Sequence, residues 1–315
     1  MKKILICGAS GFVGRNLLDA FIETAGYEVR ATWNKNANLT DVYHNDVEWV
    51  HANLTNSDDV KKVFSGVDIV LQYAAISTSM KDAVEKPYIH VTDNVVMNSL
   101  MMREAHEQGV EHFIFPSCTV MYEPLERPVK EKDFKGYIDN DNIYFGGGST
   151  KVYLEQMCEF YSQLGNTKYT AIRQSNIYGK YDTFDSEEGH FFPATIDKVL
   201  KSEDSISVWG DGTEKKDLLY VEDLIELIKL IIGRQTNEFQ LVNAGYGKSF
   251  TITDIVKSII KGFGKDLKIK YDTTKPSRKV GLELDISKSE KVFGWKPKYN
   301  LESGIEKLTH HERLK

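Results

Sequence analysis

Three cysteines in 315 residues are too few, and too unevenly placed, to build a framework. Cys7, Cys118 and Cys158 show neither metal-ligand spacing nor a disulfide pattern, which suits a reducing cytosol. Long apolar runs are missing too. None reaches the roughly 20 residues needed to span a bilayer, so no membrane partner is expected and the chain reads as cytoplasmic. The start, "MKKILICGAS", has the basic and apolar parts of a secretion signal. Its apolar part is too short, however, and runs straight into a glycine motif that needs it as a strand. An excess of positive charge is also absent. Forty Lys and Arg stand against 46 Asp and Glu, a net charge of −6, and the pI is about 5.8. That removes the global electrostatic case for binding nucleic acid or an anionic membrane. A local positive site for a small anionic ligand remains open.

What is present is a core. Hydrophobic residues make up 41% of the chain and charged residues 27%, enough for one large domain or two unequal ones. In the first half, apolar strand patterns ("KILICGA", "YEVRATW", "VDIVLQYAA", "VEHFIFPSC") alternate with helix patterns ("GRNLLDAFIETAG", "SDDVKKVFSG", "NVVMNSLMMREAHEQG"). Strands separated by helix-length segments imply βαβ units and a parallel sheet, which binds ligands at its carboxyl ends. After the helix "STKVYLEQMCEFYSQLG" and the strand "KYTAIRQSNIYG" the pattern loosens into the polar loop "KYDTFDSEEGH", short strands, and helices such as "VEDLIELIKLIIG". The expected fold class is α/β: a Rossmann-like, doubly wound parallel sheet with a smaller mixed α/β C-terminal substrate lobe. The cofactor domain is expected over 1–175, with later segments returning to it, and the interleaved substrate lobe over 176–315.

Gly8, Gly11 and Gly14 in "GASGFVG" follow the first strand and open the first helix. Glycine there permits the tight turn, close approach of backbone to a pyrophosphate, and close helix–sheet packing. The helix N-terminal amides then face the phosphates. At the end of the second strand an acidic residue would select NAD, whereas a positive group accommodates the 2′-phosphate of NADP. The sequence there is "ATWNKN", with Asn34 and Lys35 and no acid nearby. NADP is the expected cofactor, ahead of NAD.

"GASGFVG", the "YAA" of Tyr73 to Ala75, "FIFPSCTVMY" and "STKVYLE" together resemble the extended short-chain dehydrogenase/reductases, enzymes that modify nucleotide-sugars with NAD(P). The resemblance runs from about residue 3 to about residue 305. Through "RQSNIYGKYDTFD", "GHFFPA" and "VWGDGTEKKDLLYVEDL" it extends to the GDP-fucose synthase subgroup, the GDP-4-keto-6-deoxymannose epimerase–reductases.

By resemblance, Gly8, Ser10, Gly11, Phe12, Val13, Gly14, Asn53, Leu54, Ala74 and Ala75 surround the cofactor. Lys151 holds the nicotinamide ribose and lowers the pKa of the catalytic group, since a nearby cation stabilises an anion. Asn176, Lys198, Trp209, Lys216 and Arg278 meet the nucleotide-sugar, and His190 serves C3/C5 epimerisation. The subgroup carries arginine at the positions of Lys198 and Lys216, so bidentate geometry is lost there. No metal site is expected.

Two positions depart from the family. Cys118 stands where a catalytic Ser or Thr belongs, and Gly147 stands where a tyrosine should precede Lys151 by one helical turn. Proton transfer to a sugar oxygen needs a donor within hydrogen-bond reach, and glycine has none. Tyr144 is seven residues before Lys151, about 10 Å along an unbroken helix. Because Gly146, Gly147 and Gly148 disfavour such a helix, a loop is expected that folds Tyr144 back. Cys118, Thr119, Tyr122, Tyr178, His190 or an ordered water are the other candidates. Cys118 itself reads either as a passive small residue or as an acid/base.

The helices carrying Val96 and Leu100, and Val152, Met157 and Phe160, have wide apolar faces. In this family the corresponding helices pair in a homodimer. The leading expectation is NADP-dependent reduction of a 4-keto nucleotide-sugar, GDP-linked, with optional epimerisation. The alternatives are an NAD-dependent nucleotide-sugar 4-epimerase or dehydrogenase, and a catalytically silent nucleotide-sugar binder.

Overall fold

The computed structural model describes residues 1–35, 45–76, 86–139, 142, 144–184, 191–275 and 281–313. Contacts divide it into two units. The first comprises Met1–Met121, Lys135–Arg173 and Ile228–Val242, and the second Tyr122–Phe134, Gln174–Leu227 and Asn243–Lys315.

The first unit is built on a twisted parallel sheet. Its strands are β1 (Lys2–Cys7), β2 (Tyr27–Trp33), β3 (Val47–His51), β4 (Ile69–Gln72), β5 (His112–Ser117), β6 (Lys168–Gln174) and, last in sequence, β10 (Phe239–Ala244). The sheet order is β10-β6-β5-β4-β1-β2-β3. β1 pairs in parallel with β2 on one side and with β4 on the other. The winding direction therefore reverses at β1, and the carboxyl ends of β1 and β4 flank the crevice where such sheets take ligands. Ile4, Leu5 and Ile6 are fully buried, as expected of a strand covered on both faces.

Helices α1 (Phe12–Ile22), α2 (Ser57–Phe64), α3 (Thr92–Glu107) and α4 (Phe145–Ser162) belong to this unit. Asn56 starts α2 by accepting the amides of Asp58 and Asp59 at 2.9 and 3.1 Å. Met101 and Met102 of α3 and Leu154 and Cys158 of α4 pack with Leu5, Val70, Phe113 and Ala171 of the sheet in one core.

The second unit has two small sheets. β7 (Asn176–Tyr178), β9 (Lys215–Tyr220) and β11 (Ser249–Thr251) form one, in the order β11-β9-β7, and β8 (Ser205–Trp209) pairs with β12 (Lys268–Asp272) in the other. Helices α5 (Phe191–Lys201), α6 (Ile252–Gly262) and α7 (Leu301–Arg313) close its core. Tyr178, Ile196, Leu218, Tyr220, Ile255, Ile259 and Leu308 meet there. Asp217 of β9 is buried and accepts the amides of Tyr246 at 2.7 Å, Gly247 at 3.3 Å and Leu284 at 3.2 Å. Burial pushes its carboxyl up to about 6, against the pull of those amides. The stretch "KYTAIRQSNIYG" reads as one strand in sequence, but it breaks at Ser175: β6 lies in the large sheet and β7 pairs with β9.

Candidate active site

The carboxyl edge of the parallel sheet collects most of the residues singled out by sequence. Gly8 follows β1 with φ +73°. A Cβ there would fall 2.5 Å from the carbonyl oxygen of Tyr73. On Gly14, the first buried residue of α1, a Cβ would fall 2.1 Å from the carbonyl oxygen of Gly8. Both positions admit only glycine, so the backbone draws in to make a shallow cradle. Gly11 caps α1 without a side-chain hydrogen bond, and no acidic residue stands in the first turn formed by Phe12, Val13 and Gly14. The amides there suit an anion.

Tyr73 follows β4 beside this cradle. Its hydroxyl is buried without a hydrogen-bond partner among the described residues, and burial raises its pKa. A buried hydroxyl left unmatched is costly, and a ligand's polar group would offset that cost. The cradle and this hydroxyl both fit a dinucleotide. Asn53 and Leu54 follow β3. Leu54 is buried, while the Asn53 side chain is engaged with its own turn through Thr55.

Sequence reading did not find the amides that fix the segment after β4. Gln72 donates to Asn98 and to the carbonyl of Ala74, and accepts the Ala74 amide. Asn98 donates to the carbonyl of Asn94. The Asn94 side chain accepts from the amide of Ile76 and donates to the carbonyls of Ile76 and His90, at 2.9 to 3.0 Å. This ladder ties Ala74 and Ala75 to α3 and to the short turn Pro87–His90. The four-residue spacing of Asn94 and Asn98 was its one visible signal.

Lys151 lies on α4 and reaches the end of β5. Its ammonium donates to the carbonyl of Pro116 at 2.7 Å and sits 4.6 Å from the centre of the Phe115 ring. Burial lowers its pKa, opposed by Cys118, Glu155 and Cys158. One turn further along, Glu155 accepts from Ser117 and forms a buried, two-pronged ion pair with Arg173 of β6. Lys151 and Glu155 thus stitch α4 to successive residues of β5. The K-x-x-x-E spacing could have shown this pair. Cys118 is half-buried just past Ser117. Burial raises its thiol pKa more than the nearby Lys151 lowers it, so the sulfur stays protonated near neutral pH. Thr119 follows, half-buried.

The expected loop at the three glycines is corrected by the structure. α4 begins at Phe145 and runs helically through Gly146, Gly147 and Gly148, and Tyr144 is its N-cap. The Gly148 amide donates to the Tyr144 carbonyl at 2.7 Å. Two of the glycines explain why the helix persists. A Cβ on Gly146 would come 3.2 Å from Val91, and one on Gly148 would come 2.5 Å from Ile138. Close packing there offsets the low helix propensity. Tyr144 therefore stays nearly two turns from Lys151.

In the second unit, Lys198 and Trp209 line one surface cavity of about 300 Å³, together with Lys201, Ser202, Ile206 and Ser207. Lys216 pairs with Glu214 at 2.8 Å and lies 5.3 Å from the Phe191 ring. The Asn176 side chain donates to the carbonyl of Asp217 at 3.0 Å. His190 and Arg278 lie outside the described residues. Tyr122 donates to Asn243 at 2.7 Å and Tyr178 is buried in the core. Among the described residues no His, Cys, Asp and Glu cluster could hold a metal ion, and no helix is long and apolar enough to cross a membrane.

Residues 4–245 match the model of a family described as the NAD dependent epimerase/dehydratase family. A GDP-L-colitose synthase of Yersinia pseudotuberculosis is 27% identical, over 98% of this chain and 97% of its own. Among solved structures, the UDP-glucose 4-epimerase of Thermotoga maritima with UDP-glucose superposes with a TM-score of 0.85 at 24% identity, covering 99% of each chain. The UDP-glucuronic acid 4-epimerase of Bacillus cereus, in complex with UDP-glucuronic acid and NAD, does so with a TM-score of 0.85 at 22% identity, covering 99% of this chain and 100% of that one.

These findings correct two expectations. NADP gives way to NAD, the cofactor named for the family. At the end of β2 Asn34 and Lys35 both stand exposed, and a surface lysine is common with or without a phosphate beside it, so its charge alone does not select NADP. NADP-dependent reduction as the leading activity gives way with it, since the family is described as one of NAD dependent epimerases and dehydratases.

Proposed function

This chain belongs to the NAD dependent epimerase/dehydratase family, and on that footing we propose that it is an NAD-dependent nucleotide-sugar 4-epimerase or dehydrogenase. The observation that carries the reading is Lys151, fixed to the Pro116 carbonyl at the carboxyl end of β5, on the same sheet edge as the Gly8–Gly14 cradle. Gly8, Gly14 and the first-turn amides of α1 would hold the pyrophosphate, Tyr73 would donate to a cofactor oxygen, and Lys151 would hold the ribose. When bound, the nicotinamide supplies a hydride acceptor and donor. Lys151 orients that end of the site and, as a cation, favours the anionic state of nearby oxygens.

Lys198 and Trp209 are proposed to hold the base and diphosphate in their shared cavity. Asn176, Lys216, His190 and Arg278 keep the substrate roles that the resemblance gives them. The Yersinia match makes GDP-linked sugars the finer reading. A homodimer through α3 and α4 is proposed as well, because Val96, Tyr153 and Phe160 stand 39%, 39% and 49% exposed on those helices. The protein is proposed to act in the cytoplasm.

The test is incubation of the chain with NAD and, separately, UDP-glucose, UDP-glucuronic acid and GDP-mannose, with NMR detection of sugar inverted or oxidised at C4. Conversion of one member is the expected outcome. The bare Gly147 favours a second reading, a silent binder. NAD binding with no conversion across the panel and other nucleotide-sugars would select it, and failure to bind NAD would overturn both.

A further inference from the structure

Among the described residues, nothing in the packing requires glycine at 147. Gly146 and Gly148 are hemmed in by Val91 and Ile138, but a Cβ on Gly147 would meet, of the described residues, only the Cβ of His90, at 4.0 Å, an ordinary contact. Its φ is not in the left-handed region. Glycine is a poor residue for a helix, and here neither the backbone nor the described neighbours require it. What it does is leave open the space facing His90, one turn from Lys151. His90 is held in place there. Its carbonyl accepts from Asn94, whose amide also grips Ile76 in the segment that follows β4. One side chain thus ties the backbone of His90 to the segment after β4.

We propose that His90 is the acid/base residue of this site, working across the gap that Gly147 leaves open. The inference rests on the nucleotide-sugar reading given above. In the oxidising direction the proton of the sugar's C4 hydroxyl passes to a ring nitrogen of His90. NAD, which Gly8, Gly14 and Lys151 would hold, would supply the acceptor for the hydride and its electron pair from the same carbon, so that the alcohol would become a ketone; in the reverse direction His90 returns the proton. An imidazole suits this because its ordinary charge change falls between about pH 5 and 8. A tyrosine needs a neighbouring cation to reach that range. The ionisable groups nearest in sequence to His90 and Gly147 are Lys86, the N-cap of the turn, and Tyr88 within it, Asp93 at the start of α3, and Tyr144, the N-cap of α4, with Lys151 one turn past Gly147.

Two measurements test it. In the first, the histidine ring signals of the full chain are followed by NMR, with His90 assigned by its loss in His90→Asn. Addition of NAD with UDP-glucose or GDP-mannose is expected to move the His90 signal, and Gly147→Tyr to abolish the movement. A His90 signal indifferent to every ligand that binds overturns the inference, whatever the turnover. In the second, with a sugar the wild type converts, His90→Ala is expected to lower kcat about 10²- to 10⁴-fold with little change in KM. Free imidazole should restore at least tenfold, and adding Gly147→Tyr to His90→Ala should restore turnover with a changed pH profile. Wild-type kcat in His90→Ala overturns the inference. So does a loss that neither imidazole nor the tyrosine recovers in a protein that still binds NAD. If no sugar is converted by the wild type, the proposed function falls, and the inference is decided by the NMR result.

Discussion

Replacing Glu155 with Leu removes the carboxylate from a pair in which the Glu155 side chain is 6% and the Arg173 side chain 3% exposed. Three contacts are lost, at 2.6, 2.9 and 3.2 Å, along with the acceptor for Ser117. A guanidinium is left in the interior without its counter-charge. Breaking a buried pair from one side costs about 3–5 kcal/mol. With an unfolding entropy of about 2.1 cal/mol/K for each of 315 residues, that lowers Tm by about 5–8 °C. The companion Glu155→Leu/Arg173→Met removes both charges, leaving chiefly the Ser117 hydroxyl unmatched at about 1 kcal/mol. It should recover most of the loss. Scanning calorimetry of wild type, both singles and the double gives the coupling energy. A single variant within about 1.5 °C of wild type, or a double no better than the worse single, would show that the pair is not a closed buried unit.

Gly14→Ala should weaken NAD binding at least 100-fold by titration calorimetry, because its methyl would fall on the Gly8 carbonyl; affinity within threefold of wild type would refute the cradle. Gly147→Ala should raise Tm by about 1 °C through helix propensity, while Gly148→Ala, which displaces Ile138, should not exceed wild type; the reverse order would contradict the packing at this helix start. Asp217 gives a pH dependence. Its folded pKa of about 6 lies above the unfolded value of about 3.9, so its contribution is full below about pH 4 and lost as pH rises through 6, up to about 3 kcal/mol. Denaturant titrations at pH 4.5 and 7.5 should show a smaller change for Asp217→Asn than for wild type, and equal changes would sink the assignment.

The parallel sheet was legible because its strands are short apolar runs that nothing but a doubly covered sheet can bury, and "GASGFVG" sits where the first crossover must begin. The cradle was legible for the same reason: a Cβ at Gly8 or Gly14 has nowhere to go. Tertiary packing decided what the sequence concealed. Three glycines in a row argue locally for a loop, yet Val91, Ile138 and Val120 fill the space that side chains at 146 and 148 would need. Ser175 looks like one more strand residue, but its neighbours pair in different sheets. His90 carries no motif at all; it becomes visible only when the turn Pro87–His90 is set against Gly147. The cofactor was misjudged because one lysine after β2 is a weak signal, surface lysines being common whether or not a phosphate lies beside them.

The bond from Lys151 to Pro116 has a stereochemical consequence. An ammonium carries three protons, and the Pro116 carbonyl fixes the direction of one. Rotation about the terminal C–N bond is thereby arrested, and the other two protons point along set directions, as two adjacent hydroxyls of a ribose would require. An arginine at 151 keeps the charge but is planar, so it cannot reproduce that three-legged arrangement. Position 151 therefore selects for the shape of a cation as well as its sign.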